Sequence, residues 1–280
     1  MQAARHGRKA LVGEGVKDMY SISVVRNGQI LASAQGEGEA SLLYRGEYME
    51  GDSIAFTAGG CRAIVQVDQQ VAPARVYLPD GAFIYRLPLA GDNLAVYPPR
   101  AFTGGLHLIS IRPDVSNEYR NLARNPADQR GDVTAYPHAT ANVETRNESV
   151  FAARNTIDGV HIAGGHGEWP YGSWGIGART DAELTLDFGR EVEIDRMVLY
   201  LRADFPHDAW WICASATLDD GFEITFPLEG KDGAQAVDLG SKHVVRSLKL
   251  HNLVKCDMPS AFPALRQIEV YGRDCGKRNE

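Results

Sequence analysis

The sequence predicts an all-β protein made of two β-sandwich (jelly-roll) domains. Short apolar runs recur about every ten residues through most of the chain, separated by Gly, Pro, Asp and Asn, a spacing typical of sandwiches and jelly rolls. Runs such as AIVQVD and ARVYLP alternate apolar and polar residues, which is the pattern of a half-buried strand. The 280 residues are enough for two such domains, although one large β domain would also fit this length.

The first half begins with a predicted hairpin. YSISVVRNGQILASA contains two β-rich runs around Asn27-Gly28, and this dipeptide is the strongest short hairpin signal. No motif in this half indicates a specific activity, so we interpret the domain over 1–115 as a support for the second domain. Its further strands are predicted in ASLLYRG, DSIAFTA, RAIVQVD, ARVYLPD, AFIYRLPL and LHLISIR.

The chain changes character over residues 113–147, which are polar, rich in Asn, Asp and Arg, and contain three prolines. We interpret this stretch as a linker and the irregular start of a second domain over 116–280. ESVFAARNTIDG predicts one short helical turn that ends at Gly159. Strands then return in AELTLDFG, EIDRMVLYLR, ICASATLDDG, FEITFPLE, AQAVDLG, RSLKLHNLV and LRQIEVYG.

Charge and composition exclude several classes of partner. The net charge is −7 and no long basic run occurs, so we expect neither nucleic acid nor an anionic membrane surface as a partner. No apolar run approaches the roughly 18 residues of a membrane span. The N-terminus lacks the apolar core of a secretory signal, so the expected location is the cytoplasm.

The cysteines and the missing motifs narrow the chemistry. Cys61, Cys213, Cys256 and Cys275 form no CxxC pair, so we expect free thiols rather than a zinc site, with one disulfide in the C-terminal half left open. GxSxG and HExxH are absent, and GEGEA lies among strands rather than in a βα unit. The sequence therefore indicates no serine hydrolase, zinc protease or nucleotide site.

The second half contains an ordered series of short motifs: NLA with ATA downstream, IDG followed by SWG, an LTLDFG strand, an IDRMVLYLR strand and a terminal IEVYG strand. Their order and spacing across about 121–272 resemble the discoidin, or coagulation-factor C-type, family of galactose-binding-like β-sandwiches. The segment VHIAGGHGEWPYG, between IDG and SWG, is longer than the usual form. The resemblance implies a jelly roll that binds carbohydrate, other small ligands or cell-surface molecules through loops at one end. The first half looks like a small jelly roll of the kind found beside sugar-active domains.

The resemblance also implies a structural calcium ion, which this family holds with a side chain of the DG loop and a glutamate of the last strand. The matching residues are Asp158 and Glu269. Calcium takes roughly six to eight oxygen ligands, and backbone carbonyls around residues 153–161 could supply others. The alternative is an Asx-turn at Asp158-Gly159 and a solvent-facing Glu269.

All four tryptophans fall between Trp169 and Trp211, and an indole offers the largest side-chain face for stacking on a sugar ring. We expect Trp174, in SWG, in the core because the family motif buries it. Trp169 lies in a Gly- and Pro-rich stretch and is the better aromatic platform. Strand alternation sends one of Trp210 and Trp211 inward and the other outward, without saying which.

The stretch RADFPHDAWW, residues 202–211, combines charged and aromatic side chains between two strands. An arginine there could grip vicinal hydroxyls or a carboxylate, the aspartates could accept hydrogen bonds from hydroxyls, and the histidine could bind or titrate. The alternative is a solvated turn whose charges pair with one another. The predicted ligand-binding residues are Trp169, Arg202, Asp204, His207, Asp208, Trp210 and Trp211.

Carbohydrate recognition without catalysis is the function that these features favour. One alternative is a carbohydrate-active enzyme of glycosidase or uronate-lyase type, with His138, His207 and Glu168 as acid–base groups. A second alternative is a protein–protein interaction module in which the tryptophans form an exposed apolar patch.

Overall fold

The computed structural model describes residues 18–131, 133–164, 167, 169–203 and 209–275. Within these ranges about half of the residues lie in antiparallel β-strands, which are joined by loops and short 3₁₀ helices. The predicted all-β class with two β-sandwiches is therefore confirmed. No helix in this part of the chain is long and apolar enough to span a membrane. All four cysteines lie in it, and Cys61, Cys213 and Cys256 are free thiols, as predicted.

Two four-stranded antiparallel sheets form the N-terminal sandwich, with the orders β2–β1–β4–β7 and β3–β8–β5–β6. The predicted hairpin is confirmed, because Asn27 and Gly28 join β1 to β2 with φ values of 50° and 79°, as a type I′ turn requires. The strands are β1 (Met19–Arg26), β2 (Gln29–Glu37), β3 (Ala40–Tyr44), β4 (Ser53–Thr57), β5 (Arg62–Gln66), β6 (Ala74–Tyr77), β7 (Ala82–Arg86) and β8 (His107–Pro113).

The core of this sandwich follows from the alternation of apolar residues along its strands. Ile22 and Val24 in β1 and Ile109 and Ile111 in β8 are fully buried, because alternate side chains of a strand share one face. The same core includes Ala127 and Ala135 from later in the chain. Residues beyond 116 thus pack on the first sandwich, and the domain boundary between 115 and 116 stays a prediction.

A third sheet, of eight strands, surrounds the C-terminal core. Its main order is β11–β16–β12–β15–β13–β14, with β10 paired to β12 and β9 to β16. Three consecutive 3₁₀ helices, at Thr145–Asn147, Ser149–Phe151 and Ala153–Ile157, occupy the region in which the sequence predicts a helical turn. The strands are β9 (Arg120–Asn121), β10 (His138–Ala141), β11 (Trp174–Gly175), β12 (Leu184–Arg202), β13 (Trp211–Leu218), β14 (Glu223–Pro227), β15 (Ala234–Lys255) and β16 (Ala264–Asp274).

Strands β12 and β15 are each predicted as two strands but are continuous in the structure. Their pairing shifts register between Asp187 and Val192 and again between Ile194 and Arg196. Such irregularities bend a strand and increase its twist, so both strands contribute to opposite sides of one apolar core. Gly189 lies in the first irregularity with a φ of 68°, and a Cβ there would collide with the Tyr136 ring.

A cluster of charges joins the two sandwiches. Asp274, the last residue of β16, is 5% exposed and accepts hydrogen bonds from Arg120 Nη2 at 2.9 Å and Arg190 Nε at 2.6 Å. Arg62 of the N-terminal sandwich approaches the same carboxylate at 3.2 Å. Three guanidinium groups therefore share one buried carboxylate at the junction.

We expect Asp274→Ala to destabilise the protein by about 3–5 kcal/mol, because removing one member of a buried ionic cluster leaves the other charges uncompensated. Urea unfolding measures this change. Asp181→Ala is the control, since the Asp181 side chain is 70% exposed and pairs with Arg179 at the surface, where such pairs contribute about 0–1 kcal/mol. Equal losses for the two variants would contradict a structural role of Asp274.

Candidate functional site

The two loops singled out in the sequence meet at their described ends. Arg202, the last residue of β12, lies with its guanidinium carbon 4.3 Å from the centre of the Tyr171 ring, and its Nη1 lies 3.5 Å from the Tyr171 carbonyl oxygen. The rings of Trp174 and Trp211 lie 6.2 Å apart. The 159–173 loop and the start and end of the 203–210 loop therefore share one end of the C-terminal sandwich. Glu168, Asp204, His207 and Asp208 lie outside the described residues.

Two buried arginines attach the 159–173 loop to the sheet. Arg202 belongs to β12 and Arg266 to the neighbouring strand β16, and both are 1% exposed. Arg266 Nη1 donates to the carbonyl oxygens of Ile162 at 2.8 Å and Gly172 at 3.3 Å. The described residues of the loop between Gly159 and Ser173 form no strand or helix, and the Arg266 guanidinium gives two of their carbonyls a hydrogen-bond donor.

The position of Arg202 differs from the predicted one. The sequence suggests that this guanidinium reads ligand hydroxyls at the surface, whereas the structure buries it beneath Tyr171. In this arrangement the guanidinium is enclosed by protein and stacked on the Tyr171 ring. A direct contact between Arg202 and a ligand stays a prediction.

The tryptophans divide into buried and accessible ones. Trp174 is fully buried, as predicted, and so is Trp211. Trp210 is partly exposed and packs against Gly230, where a Cβ would collide with its indole. Trp169 is 36% exposed, which suits an aromatic platform, although its contact with a ligand stays a prediction.

An open cleft of about 590 Å³ lies at this end of the sandwich. We call it the end cleft. Trp211 forms part of its wall, and the Trp211 Nε1–H has no acceptor among the residues that the structure describes. Its other principal walls come from the loops that follow β11 and precede β16 and from the end of β15: Ile176, Arg179, Asn252, Lys255 and Pro263.

The polar side chains of the end cleft are held by neighbouring groups. Arg179 donates to both carboxylate oxygens of Asp181, at 2.8 and 2.6 Å. Lys255 Nζ donates to the carbonyl oxygens of Cys256 at 2.7 Å and Met258 at 2.5 Å, which fixes the start of the 256–263 loop. Asn252 has a φ of 50°, an uncommon conformation that is tolerated best by Asn, Asp and Gly.

A smaller pocket adjoins the end cleft and shares Ile176 and Pro263 with it. Phe262, which is 52% exposed, lines this side pocket together with Phe151. Phe151 also makes an edge contact with Tyr171, so the side pocket borders the 159–173 loop. Sequence reasoning missed Phe262, whose only signal is an aromatic residue in a loop that contains Pro259 and Pro263.

His138, the proposed acid–base group of the enzyme alternative, lies elsewhere. It pairs in register with Asp187 near the start of β12, whereas Arg202 ends that strand. Its Nδ1 is 2.7 Å from the buried Asp128 carboxylate. Burial lowers the pKa of His138, but the hydrogen bond and charge of Asp128 outweigh this effect and raise it above the usual value. The structure does not bring His138 to the end cleft, and the other two acid–base candidates are outside its described part.

The residues predicted to hold calcium are each engaged by protein donors. Asp158 Oδ1 accepts from Val160 N–H at 2.8 Å and from Gln267 Nε2 at 2.7 Å. The same Gln267 nitrogen donates to the Asn155 carbonyl at 2.5 Å, so an amide lies between two oxygens that a cation would need. Glu269 accepts from His161 Nε2 at 2.9 Å and Tyr271 at 3.1 Å.

This arrangement does not fit a calcium ion, whose ligands are oxygens. The described residues also contain no cluster of three His, Cys, Asp or Glu side chains able to hold a metal. Burial raises the pKa of Glu269, but the hydrogen bonds from His161 and Tyr271 outweigh it, so the pKa lies below the usual value. Calcium stays a prediction of the sequence resemblance.

No protein-family model and no curated protein matches this sequence. Among solved structures, the chain is similar to the lectin binding domain of Lectinolysin, in a mutant complexed with Lewis b, at 18% identity over 57% of this chain and 100% of that chain, with a TM-score of 0.40. It is similar to chitosan-binding module 1 of a chitosanase/glucanase from Paenibacillus sp. IK-5, at 17% identity over 54% of this chain and 98% of that chain, with a TM-score of 0.38. A third similar structure is the family 32 CBM from C. perfringens NanJ in complex with galactose. The identity is 16% over 48% of this chain and 91% of that chain, with a TM-score of 0.37. At these identities and TM-scores, the similarities assign neither a family nor a ligand to this chain.

We expect Asp158→Asn to stabilise the protein at neutral pH. Burial raises the pKa of Asp158 from 3.8 to about 6, so ionisation of this carboxyl opposes folding. Ionisation of Asp158 therefore lowers the free energy of unfolding as the pH rises from about 4, and this loss reaches its full size above about pH 6. The variant keeps an oxygen that can accept from Gln267 Nε2. Urea unfolding should show equal stability near pH 4 and a gain of about 1–3 kcal/mol near pH 8.

Asp181→Asn, at an exposed carboxylate, is the matched control and should show no such gain. A bound calcium ion would reverse the sign at neutral pH, because the wild type would then lose stability in EDTA and Asp158→Asn would destabilise the protein. That result would contradict the hydrogen-bonded arrangement of Asp158 and Gln267.

Proposed function

We propose that the C-terminal domain binds a carbohydrate in the end cleft and its side pocket. The observation that carries this proposal is the combination of an exposed aromatic ring with hydrogen-bonding side chains around one opening. Phe262 is half exposed beside the side pocket, and Arg179, Asn252 and Lys255 line the adjoining end cleft. A sugar ring presents an apolar face and a polar rim, so it needs both kinds of contact.

In this mechanism the Phe262 ring stacks on the apolar face of the sugar. The amide of Asn252 and the cations of Arg179 and Lys255 contact the hydroxyls at its rim. Arg179 and Lys255 are already oriented by Asp181 and by the 256–258 carbonyls, so little side-chain freedom is lost on binding. Trp169, on the neighbouring 159–173 loop, is the candidate for a second stacking platform.

Arg202 and Tyr171 act on this site indirectly. Tyr171 contacts Phe151 of the side pocket on one side and the Arg202 guanidinium on the other. A change at Arg202 would therefore alter the position of the loop and its exposed Trp169, rather than remove a contact to the sugar. We assign the direct contacts to the exposed residues of the cleft.

We expect Phe262→Ala to weaken binding of a neutral oligosaccharide at least ~10-fold, the equivalent of about 1.4 kcal/mol, because the stacking face is lost. A glycan array first identifies the sugar, and calorimetry with that sugar then measures the affinity. Val244→Ala is the control, since Val244 is 46% exposed in the same domain but does not line the cleft. Its affinity should equal that of the wild type.

Two results would count against the proposal. The first is a wild-type protein that binds no sugar on the array; the second is unchanged affinity in both Phe262→Ala and Arg179→Ala. Self-association that is lost in Phe262→Ala, without any sugar binding, would instead support an interaction module.

A further inference from the structure

A second opening, distant from the end cleft, lies between the two sandwiches. We call it the arginine groove. It has a volume of about 460 Å³. The N-terminal sandwich contributes Ile64, Arg75 and Arg112 to its lining, and the chain that enters the second sandwich contributes Arg120, Leu122 and Arg124.

The groove has an excess of positive charge in an acidic protein. Four arginines and a single carboxylate, Glu118, line it, whereas the whole chain has a net charge of −7. Arg75 pairs with Glu118 at 2.5 Å. The exposed side chains of Arg112 and Arg124 make no hydrogen bond or ion pair with the residues that the structure describes. Two cations of the groove are therefore available to an anion.

Arg120 is the most enclosed cation of the groove. Its Nη2 donates to Asp274, but its Nη1 is buried and has no acceptor within the described ranges. Burial lowers the pKa of Arg120; the carboxylates of Asp274 and Asp114 oppose this effect, and the cations of Arg190 and Arg75 add to it. The buried Nη1 is thus a hydrogen-bond donor that an anion in the groove could satisfy.

We propose that the arginine groove binds a short acidic oligosaccharide through the carboxylates of its uronic-acid rings. A guanidinium matches a carboxylate with two parallel hydrogen bonds, and Arg112 and Arg124 are the groups free to form them. The groove volume falls within the roughly 300–1,000 Å³ of small-ligand sites, which fits a short oligomer better than a protein or nucleic-acid surface. Ile64, which is partly exposed, offers apolar surface for a sugar ring.

The choice of a sugar over another carboxylate rests on the proposed function of the C-terminal domain, but the two sites are separate. Arg120 pairs with Gly272 and Asn121 with Tyr271, near the end of β16. The end cleft instead lies where β16 begins, beside Pro263. Variants at one site should therefore leave the other site unchanged.

The test is calorimetry of the full chain with a short oligogalacturonate, at low and high salt. The double variant Arg112→Glu and Arg124→Glu should bind at least ~10-fold more weakly than the wild type, about 1.4 kcal/mol, and the wild-type affinity should fall with salt. Arg246→Glu is the matched control, because Arg246 is 61% exposed and does not line the groove. Circular dichroism checks that each variant is folded.

The outcomes separate this inference from the proposed function. Phe262→Ala should keep oligogalacturonate binding while losing the neutral sugar; loss of both ligands in Phe262→Ala would overturn a second site. Absence of oligogalacturonate binding by the wild type, or equal weakening in Arg246→Glu and the double variant, would also overturn it. Citrate or a single-stranded oligonucleotide binding as tightly as oligogalacturonate would refute the assignment to an acidic sugar.

Discussion

Two buried guanidinium groups, those of Arg202 and Arg266, determine how the candidate site is built. Removing a cation from water carries a large desolvation penalty unless hydrogen bonds replace the lost water. Here the carbonyls of Ile162, Gly172 and Tyr171 provide such bonds. The arginines lie on adjacent strands, so the irregular 159–173 loop is attached to the end of the sheet that also forms the cleft. The contacts of these two guanidinium groups hold the described parts of the loop against that end of the sheet.

Much of the fold is predictable from the sequence because burial on one face of a strand leaves a local pattern. The alternation in β5 and β6 and the turn at Asn27-Gly28 depend on neighbouring residues alone. The continuity of β12 and β15, in contrast, does not depend on neighbouring residues alone. The Gly189 and Gly240 regions resemble turns in the sequence, but the partner strands continue past them. Only non-local pairing distinguishes a bend in one strand from a turn between two.

The candidate site is predictable only in part, for the same reason. The 202–211 stretch stands out by its unusual composition. The alternation of side chains along a strand predicts that one of its two tryptophans is buried. That this one is Trp211 depends on its pairing with Lys255 in β15, which no local pattern reveals. Burial of Arg202 likewise depends on a loop about thirty residues earlier in the chain. Phe262 was missed because a single exposed aromatic residue is ordinary on protein surfaces.

The long strands also explain how one chain can hold two polar environments of different character. The start of β16 carries the loop and the cleft, whereas its end carries Asp274 and the cluster of arginines. The residues between, such as Ile268 and Val270, are fully buried. An 11-residue strand spans about 33 Å, several times the screening distance of about 8 Å at physiological salt. A ligand of small size at one end therefore touches none of the side chains at the other, and recognition at the two ends can differ.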